Sequence, residues 1–172
     1  MTTSTNHASP TFKLQSSEIV PNTQMPQRFE YNDFGANGDN ESPELSWHGA
    51  PDHTESFAIT CYDPDAPTGS GWWHWLVVDI PKDVTQLIAN AGQVGDAHLP
   101  RGAKHIRMDF GYAGWGGLCP PPGDKPHRYI FTVYALDTPT LGLPSDATAA
   151  LAGFMIGSHS IASATFTATY AR

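Results

Sequence analysis

Short apolar runs, separated by turns rich in glycine and proline, dominate the chain. Residues 57–62 form a near-continuous apolar run, short enough and closely enough bounded by turns to predict a buried strand. Residues 162–170 alternate between apolar positions and serine or threonine, which predicts a half-buried strand. By the same reading, the full set of predicted strands is residues 12–20, 44–47, 57–62, 74–80, 128–136 and 162–170.

Side chains along a strand point alternately to its two sides, so two of the predicted strands can be assigned faces. In residues 74–80, alternation places His74 on the same side as every second residue after it, namely Leu76, Val78 and Ile80. In residues 128–136, the corresponding apolar side comprises Tyr129, Phe131, Val133 and Ala135. We therefore expect His74 and Tyr129 each to stand near the beginning of an apolar strand face.

Helical patterning is scarce along the chain. The strongest helix candidate covers residues 145–156, where Ser145 and Asp146 can cap the first turn, alanines favour the helix and Gly157 can end it. A second candidate covers residues 84–91. Together these elements predict an all-β dominated chain, a two-sheet antiparallel β-sandwich with one or two peripheral helices.

Length and charge narrow the classes of function. The chain has 172 residues, which fits one domain, and we assign that domain to residues 11–172. Residues 1–10 contain neither a basic nor an apolar stretch, which predicts a disordered tail and not a signal peptide. The net charge of −8 disfavours nucleic acid and anionic membranes as partners, because both need clustered lysine or arginine. No apolar run approaches the roughly 20 residues that span a bilayer, so we expect no membrane span.

Cysteine usage and known motifs exclude further classes. Cys61 and Cys119 lie far apart and lack the paired spacing of a zinc site, so we expect free thiols, no metal and a reducing, cytoplasmic location. The sequence lacks the fingerprints of phosphate-binding loops and dinucleotide domains, and also the G-x-S-x-G and H-E-x-x-H motifs. We therefore expect no cofactor, and standard hydrolase chemistry has little support.

Two segments concentrate residue types that suit a binding site. Residues 63–67, Asp-Pro-Asp-Ala-Pro, follow a predicted strand and form a rigid turn, in which a cis Ala66-Pro67 bond is one option. His74 opens the next predicted strand. Each feature alone fits a structural role, either a turn capped by aspartate or a histidine satisfied in the core.

The second segment is the glycine- and proline-rich loop that leads into His127 and Tyr129. These two side chains share one strand face, which also fits a simple packing pair. Segments 32–43 and 92–124 read as long ordered loops, and loops of that length in a compact domain are usually functional. Two strands each begin with a histidine, His74 or His127, directly after a loop rich in glycine and proline. This coincidence favours a pocket that the two histidines share.

Together, these motifs resemble the phosphatidylethanolamine-binding protein family, and specifically its bacterial Raf-kinase-inhibitor-like branch. The resemblance rests on residues 63–67, on Trp-His-Trp at residues 73–75, and on residues 120–129, from Pro-Pro to His-Arg-Tyr. It extends from about Phe12, through Pro-Glu-Leu-Ser-Trp at 43–47, to Tyr-Ala-Arg at the end of the sequence. The ordered combination is highly specific, whereas each piece alone is weak.

The resemblance implies a β-sandwich with a small cavity that takes phosphate and similar anions. Carried over position by position, the ligand-binding residues are Asp63, Asp65, His74, Cys119, Pro121, His127 and Tyr129, with Cys119 at the rim. Leu118 departs from the proline that related bacterial chains often have there, which affects the shape of the rim. The implied function is binding of phosphate or a phosphorylated headgroup such as phosphoethanolamine, with regulation of a kinase or another protein partner as a further role.

The residue chemistry suits a small zwitterionic phosphorylated ligand. The two histidines and the Tyr129 hydroxyl can donate to phosphate oxygens, while Asp63 can accept from an ammonium group. Such binding should weaken as pH rises past roughly 7, where histidine loses its proton. Two other functions stay open: a hydrolytic enzyme that uses either Asp63 with His74 or Cys119 with His127, and a pure protein-interaction module. A homodimer through the aromatic surface is also open.

Overall fold

The computed structural model describes residues 11–172, and the tail predicted for residues 1–10 lies outside them. Within the described range, the strands and the α-helix follow one another as β1 Lys13–Gln15, β2 Leu45–His48, β3 Ser56–Asp63, β4 Trp72–Pro81, β5 Gln86–Leu87, β6 Lys104–His105, β7 His127–Leu136, α1 Ala149–His159 and β8 Ser160–Tyr170. A single 3-10 turn at Gln27–Phe29 precedes β2.

The strands form two antiparallel sheets, as the sequence predicts. One sheet has three strands in the order β1-β2-β5, and the other has five in the order β6-β4-β3-β7-β8. Each strand predicted from the apolar pattern is present, but β1 ends at Gln15, well before residue 20. The two-residue strands β5 and β6 are too short to leave an alternating pattern in the sequence.

The main hydrophobic core lies between the two sheets. Leu45 and Trp47 of the small sheet belong to the same buried cluster as Ile59 and Phe131 of the large sheet. Each large apolar side chain buried in this way stabilises the fold by about 1.5–3 kcal/mol relative to an exposed one. The facing apolar sides of the two sheets therefore hold the sandwich together.

A second apolar cluster covers the opposite face of the five-stranded sheet. There Leu76 and Val78 of β4 pack with Ala152 and Ile156 of α1. Since the helix shields this outer face, both sides of β3 and β4 are largely buried. This explains why their sequences are near-continuous apolar runs instead of alternating ones.

A β-bulge interrupts β4 at His74. Cys61 of β3 pairs with Trp75, whereas the next residue, Tyr62, pairs with Trp73. β4 thus contains one residue more than β3 at this point, and His74 is left without a cross-strand partner. A bulge of this kind changes the direction of the side chains that precede it.

The bulge overturns the face predicted for His74. The His74 ring lies 5.2 Å from the Tyr129 ring, on the inter-sheet side, while Leu76 faces the helix. A second irregularity further along β4, where Asp79 has a φ of 57°, turns Ile80 into the inter-sheet core as well. The expectation that His74 and Ile80 share a face with Leu76 is therefore wrong, because strict alternation fails at each bulge.

The helix differs from its predicted bounds. It begins at Ala149, where the Thr148 hydroxyl caps the first turn, and it continues through Gly157 to His159. Residues 84–91 are not helical and instead contain β5, which pairs with β2 at the edge of the small sheet. Sheet pairing outweighs the modest helix propensity of this segment.

Candidate functional site

Three strand ends of the five-stranded sheet meet beside one cavity. β3 ends at Asp63, which pairs with Trp72 at the start of β4, and β7 starts at His127 on the other side of β3. Because neighbouring antiparallel strands run in opposite directions, the end of one strand lies beside the starts of both neighbours. A cavity of about 200 Å³ opens there, and its lining includes five of the predicted ligand-binding residues, Asp63, His74, Cys119, Pro121 and His127.

A buried aspartate and a histidine form one wall of the cavity. The Asp63 carboxylate lies 2.7 Å from Nδ1 of His127, and the Asp124 carboxylate lies 3.0 Å from Nε2 of the same ring. Since carboxylates accept hydrogen bonds, both ring nitrogens donate and His127 is an imidazolium. Burial opposes this charge, but the hydrogen bonds to the two carboxylates outweigh it and raise the pKa of His127.

The turn after β3 supplies further hydrogen-bond donors to the Asp63 carboxylate. Its Oδ1 accepts hydrogen bonds from the backbone N–H groups of Asp65, at 2.8 Å, and Ala66, at 3.1 Å. With His127 on Oδ2, the carboxylate already has three donors and little capacity for a ligand ammonium group. The set Asp63, His127 and Asp124 also carries one net negative charge, so it does not by itself attract an anion.

His74 is the second histidine of the cavity, and unlike the charged His127 it is neutral. Its Nδ1 lies 2.6 Å from the Gly116 carbonyl oxygen, which can only accept, so Nδ1 carries the hydrogen. Burial lowers the pKa of His74, which keeps the ring neutral near neutral pH. Its Nε2 has no hydrogen-bond partner within residues 11–172 and is the ring nitrogen available to a ligand.

Tyr129 lies beneath the cavity and not in its lining. Its ring is in edge contact with His74, and its buried hydroxyl has no hydrogen-bond partner within the described part of the chain. Burial raises the pKa of Tyr129, so the hydroxyl keeps its proton. Cys119 does line the rim; burial raises the pKa of its thiol, and Arg172 Nη2 lies 3.8 Å from its Sγ.

Asp65 is, with Tyr129, one of two predicted site residues that the structure places outside the cavity lining. Its carboxylate accepts from Nε and Nη2 of Arg128, at 3.0 and 2.9 Å, and from the Arg128 backbone N–H. Arg128 points away from Tyr129 along β7, as alternation requires, and it holds Asp65 on the outer side of the strand. Asp65 is therefore outside the cavity lining, and the Ala66-Pro67 bond in this turn is trans.

Several residues of the site have no clear signal in the sequence. Phe34 and Phe110 come from the two long loops and line the cavity together with Trp72. Loop length alone indicates that these segments matter, but it does not show which side chain turns inward. Asp124 is also absent from the predicted set, although its position three residues before His127 is a usable signal.

Arg172 connects the two loops that form the rim. Its Nε donates to the Pro120 carbonyl oxygen at 2.7 Å, and its Nη1 donates to the Gly35 carbonyl oxygen at 2.9 Å. One guanidinium thus holds the loop that carries Phe34 against the loop that carries Pro121. Such fork-like donation to two acceptors suits arginine and not lysine.

Other classes of site have no support in the described chain. Across residues 11–172, no group of three or more His, Cys, Asp or Glu side chains is placed to hold a metal ion. Both cysteines are free thiols, and Cys61 is fully buried in the core. Over the same range, every helix is too short or too polar to cross a bilayer.

Comparison with known proteins decides the family. A family model described as phosphatidylethanolamine-binding protein matches residues 15–171. The chain belongs to the phosphatidylethanolamine-binding protein family. Among its relatives in Escherichia coli (strain K12), the UPF0098 protein YbcL is 50% identical over 159 residues, which are 92% of this chain and 87% of YbcL. The UPF0098 protein YbhB is 46% identical over 158 residues, which are 92% of this chain and 99% of YbhB.

Solved structures of family members share the fold. The crystal structure of E. coli YbcL, described as a new member of the mammalian family, has a TM-score of 0.92 at 50% identity and covers 94% of this chain and 98% of its own. A homolog from Chlamydia trachomatis has a TM-score of 0.78 at 27% identity, covering 95% and 99% of the two chains. The predicted family and the predicted β-sandwich are both confirmed.

Proposed function

We propose that the cavity binds a small anionic ligand, either phosphate or a phosphorylated headgroup such as phosphoethanolamine. The observation that carries this proposal is His74 Nε2, a ring nitrogen without a protein partner at a cavity of about 200 Å³. That volume is below the roughly 300–1,000 Å³ of pockets for drug-sized ligands, which favours a small ligand. The description of the family as phosphatidylethanolamine-binding proteins supports a phosphorylated group.

Binding of an anion at this site requires a proton. A neutral His74 offers an acceptor to the cavity, and an anion also accepts, so the two repel unless one of them is protonated. The anion itself favours the imidazolium form and thereby raises the pKa of His74 in the complex. Affinity should therefore fall as pH rises between the lowered pKa of the free protein and the raised pKa of the complex.

We expect the affinity for sulfate to fall close to tenfold for each pH unit between the His74 pKa of the free protein and that of the complex, because one proton enters with each anion. Sulfate does not titrate in this range, so its pH dependence reports the protein alone, while inorganic phosphate tests the proposed ligand. Calorimetry from about pH 5.5 to about pH 8.5 measures both dissociation constants.

The same titrations can contradict the proposal. Absence of phosphate binding across the whole pH range removes the proposed function. If each anion binds as tightly near pH 8.5 as it does near pH 6, the proton-coupled mechanism at His74 is contradicted. Proton uptake is checked independently by repeating one titration in two buffers that differ in ionisation enthalpy, since uptake changes the observed heat.

Asp124→Asn is expected to tighten phosphate binding by about threefold to tenfold at low salt. The asparagine oxygen can still accept from Nε2 of His127. The substitution nevertheless removes the net negative charge of the set Asp63, His127 and Asp124. The measurement is the phosphate dissociation constant near pH 6.5, the ordinary pKa of a histidine side chain.

Asp137→Asn is the matched control for this prediction. Asp137 also accepts from a histidine, Nδ1 of His159, at 2.8 Å, but it lies after the opposite end of β7. The control should leave the phosphate affinity unchanged. If Asp124→Asn weakens binding, or if both variants change it equally, the electrostatic role of Asp124 is contradicted.

We further propose that the site binds its ligand without turnover. In support, both ring nitrogens of His127 are occupied by carboxylates, so this histidine cannot act as a base toward the Cys119 thiol. Asp63 is bonded to His127 and not to His74, which disfavours an Asp63 and His74 acid/base pair. Release of phosphate from phosphoethanolamine or an aryl phosphate by the purified protein would contradict this proposal.

We also propose a cytoplasmic location, which the free thiols of Cys61 and Cys119 support. Oxidising compartments favour disulfides, and a protein with two unpaired cysteines is better suited to a reducing one. Fractionation of cells that express the full chain tests this location. Recovery of the protein in an extracytoplasmic fraction would exclude it.

A further inference from the structure

We propose that His105 is a proton-sensitive latch, which holds the surface loop before β6 against that strand at neutral pH and releases it in acid. The loop comprises residues 92–103, the last part of the connection between β5 and β6, and is called the 92–103 loop below. None of residues 92–105 lines the cavity. The latch is therefore a property of the fold that does not depend on the ligand proposed above.

His105 joins β6 to the loop through hydrogen bonds to two adjacent loop residues. Its backbone N–H donates to Oδ1 of Asp96 at 2.9 Å. Its ring Nδ1 lies 3.1 Å from the Gly95 carbonyl oxygen and 3.2 Å from the same Asp96 oxygen. A carbonyl and a carboxylate can only accept, so Nδ1 carries the hydrogen. On a neutral ring, Nε2 is then an acceptor without a hydrogen.

The rest of the His105 ring is enclosed by the core. The side chain is 0% exposed, and its buried Nε2 has no hydrogen-bond partner within residues 11–172. The Trp75 ring stacks beside it with 6.4 Å between centroids, and Val77 is its cross-strand partner on β4. Both of these neighbours belong to the core between the sheets. The loop, in contrast, has six consecutive exposed residues, 93–98, so it is the neighbour that can move away.

A proton on Nε2 is unfavourable while the loop is closed. It would place a positive charge and a donor without an acceptor in an apolar environment. Burial lowers the pKa of His105, and the Asp96 carboxylate offsets only part of this effect. When the loop opens, water reaches the ring and the pKa returns to its ordinary value of about 6.5. The open form thus binds more protons, and opening becomes more favourable as pH falls through this value.

Other ionisable groups around the latch do not replace this effect. Asp96, the carboxylate that faces the ring, keeps half of its side chain exposed and so remains hydrated. The remaining ionisable residues on the loop, on β4 and next to the latch are either bonded to other segments or exposed to solvent: His74, Asp79, His98, Arg101, Lys104 and Arg107. Protonation of His105 is therefore the event that is coupled to opening of the loop.

Hydrogen–deuterium exchange of the full chain, followed by mass spectrometry, tests the latch. The N–H groups of Leu99, Ala103 and His105 report on it, because each is hydrogen-bonded within this segment. We expect their protection factors, which are corrected for the intrinsic exchange rate, to fall about five- to tenfold as the pH falls from roughly 7.5 to roughly 5.5. These groups should also exchange faster than those of the β7–β8 ladder, since the loop opens without global unfolding.

His105→Gln should abolish this pH dependence. Glutamine can still donate to the Gly95 carbonyl oxygen, but it cannot take up a proton. The protection factors of the variant should stay within about twofold over the same pH range. His159→Gln is the matched control, because Nδ1 of His159 also lies beside a carboxylate, that of Asp137, while its side chain is 35% exposed. It should lose protection in acid as the wild type does.

Three results would overturn the inference. The first is a wild-type protection factor that does not fall between the two pH values, which decides the question whether or not His105→Gln folds. The second is a fall in His105→Gln as large as that in the wild type. The third is equal protection of the loop and of the β7–β8 ladder, which would assign the opening to global unfolding. None of these measurements involves an anion, so their outcome is separate from that of the proposed function.

Discussion

Asp63→Ala is expected to lower the free energy of unfolding by about 3–5 kcal/mol near pH 6, where His127 is charged in the folded protein. The substitution removes the acceptor for Nδ1 of His127 and for the backbone N–H groups of Asp65 and Ala66. A buried imidazolium is then left with only Asp124 as a partner. Urea denaturation measures the loss, which for a chain of this size corresponds to a fall in Tm of roughly 6–20 °C.

Asp65→Ala provides the control within the same turn. Asp65 pairs with the exposed Arg128, so its loss should change the free energy of unfolding by only about 0–1 kcal/mol. The contrast separates a buried carboxylate that satisfies three donors from one held outside the cavity by an exposed arginine. Equal losses in the two variants, or none in Asp63→Ala, contradict the role assigned to Asp63.

The pH dependence of stability gives a second measurement on the same pair. The folded pKa of His127 is raised above its ordinary value, so its charge stabilises the fold fully below about pH 6.5. That contribution is lost as pH rises through the folded pKa. We expect the wild-type protein to lose this stability over that interval and Asp63→Ala to lose less, because one of the two carboxylates that stabilise the charge is gone.

His74→Gln is expected to weaken phosphate binding at least about tenfold near pH 6 and to remove the pH dependence of sulfate binding. Glutamine can occupy the volume and still donate to the Gly116 carbonyl oxygen, but it cannot become a cation. The charge-assisted hydrogen bond to the anion is therefore lost while the wall of the cavity is kept. Calorimetry with phosphate and sulfate near pH 6 and pH 8 measures both effects.

His159→Gln is the control, since His159 is a histidine of the same chain but pairs with Asp137 after the far end of β7. It should bind both anions as the wild type does. The near-ultraviolet circular dichroism spectrum of His74→Gln should match the wild type, because Phe110, Trp115 and Tyr129 surround the ring. A native spectrum with unchanged affinity and unchanged pH dependence removes His74 from the site.

The sequence by itself determines the strands of the sandwich. Runs such as residues 57–62 and 128–136 predict β3 and β7 closely, because the apolar pattern along a strand is local. The motifs at residues 63–67, 73–75 and 120–129 identify the family and bring Asp63, His74 and His127 into one predicted pocket. These properties depend on residue type and spacing, both of which the sequence contains.

Only the tertiary structure decides how that pocket is built. The bulge at His74 reverses the side that strict alternation predicts, because it depends on the register between β3 and β4. Arg128 binds the Asp65 carboxylate outside the cavity, and Asp124 accepts a hydrogen bond from His127. Both contacts depend on where the loops and the strand ends meet. Phe34 likewise reaches the cavity only through the folded loop. Contacts between distant segments follow from packing and register, which no local pattern encodes.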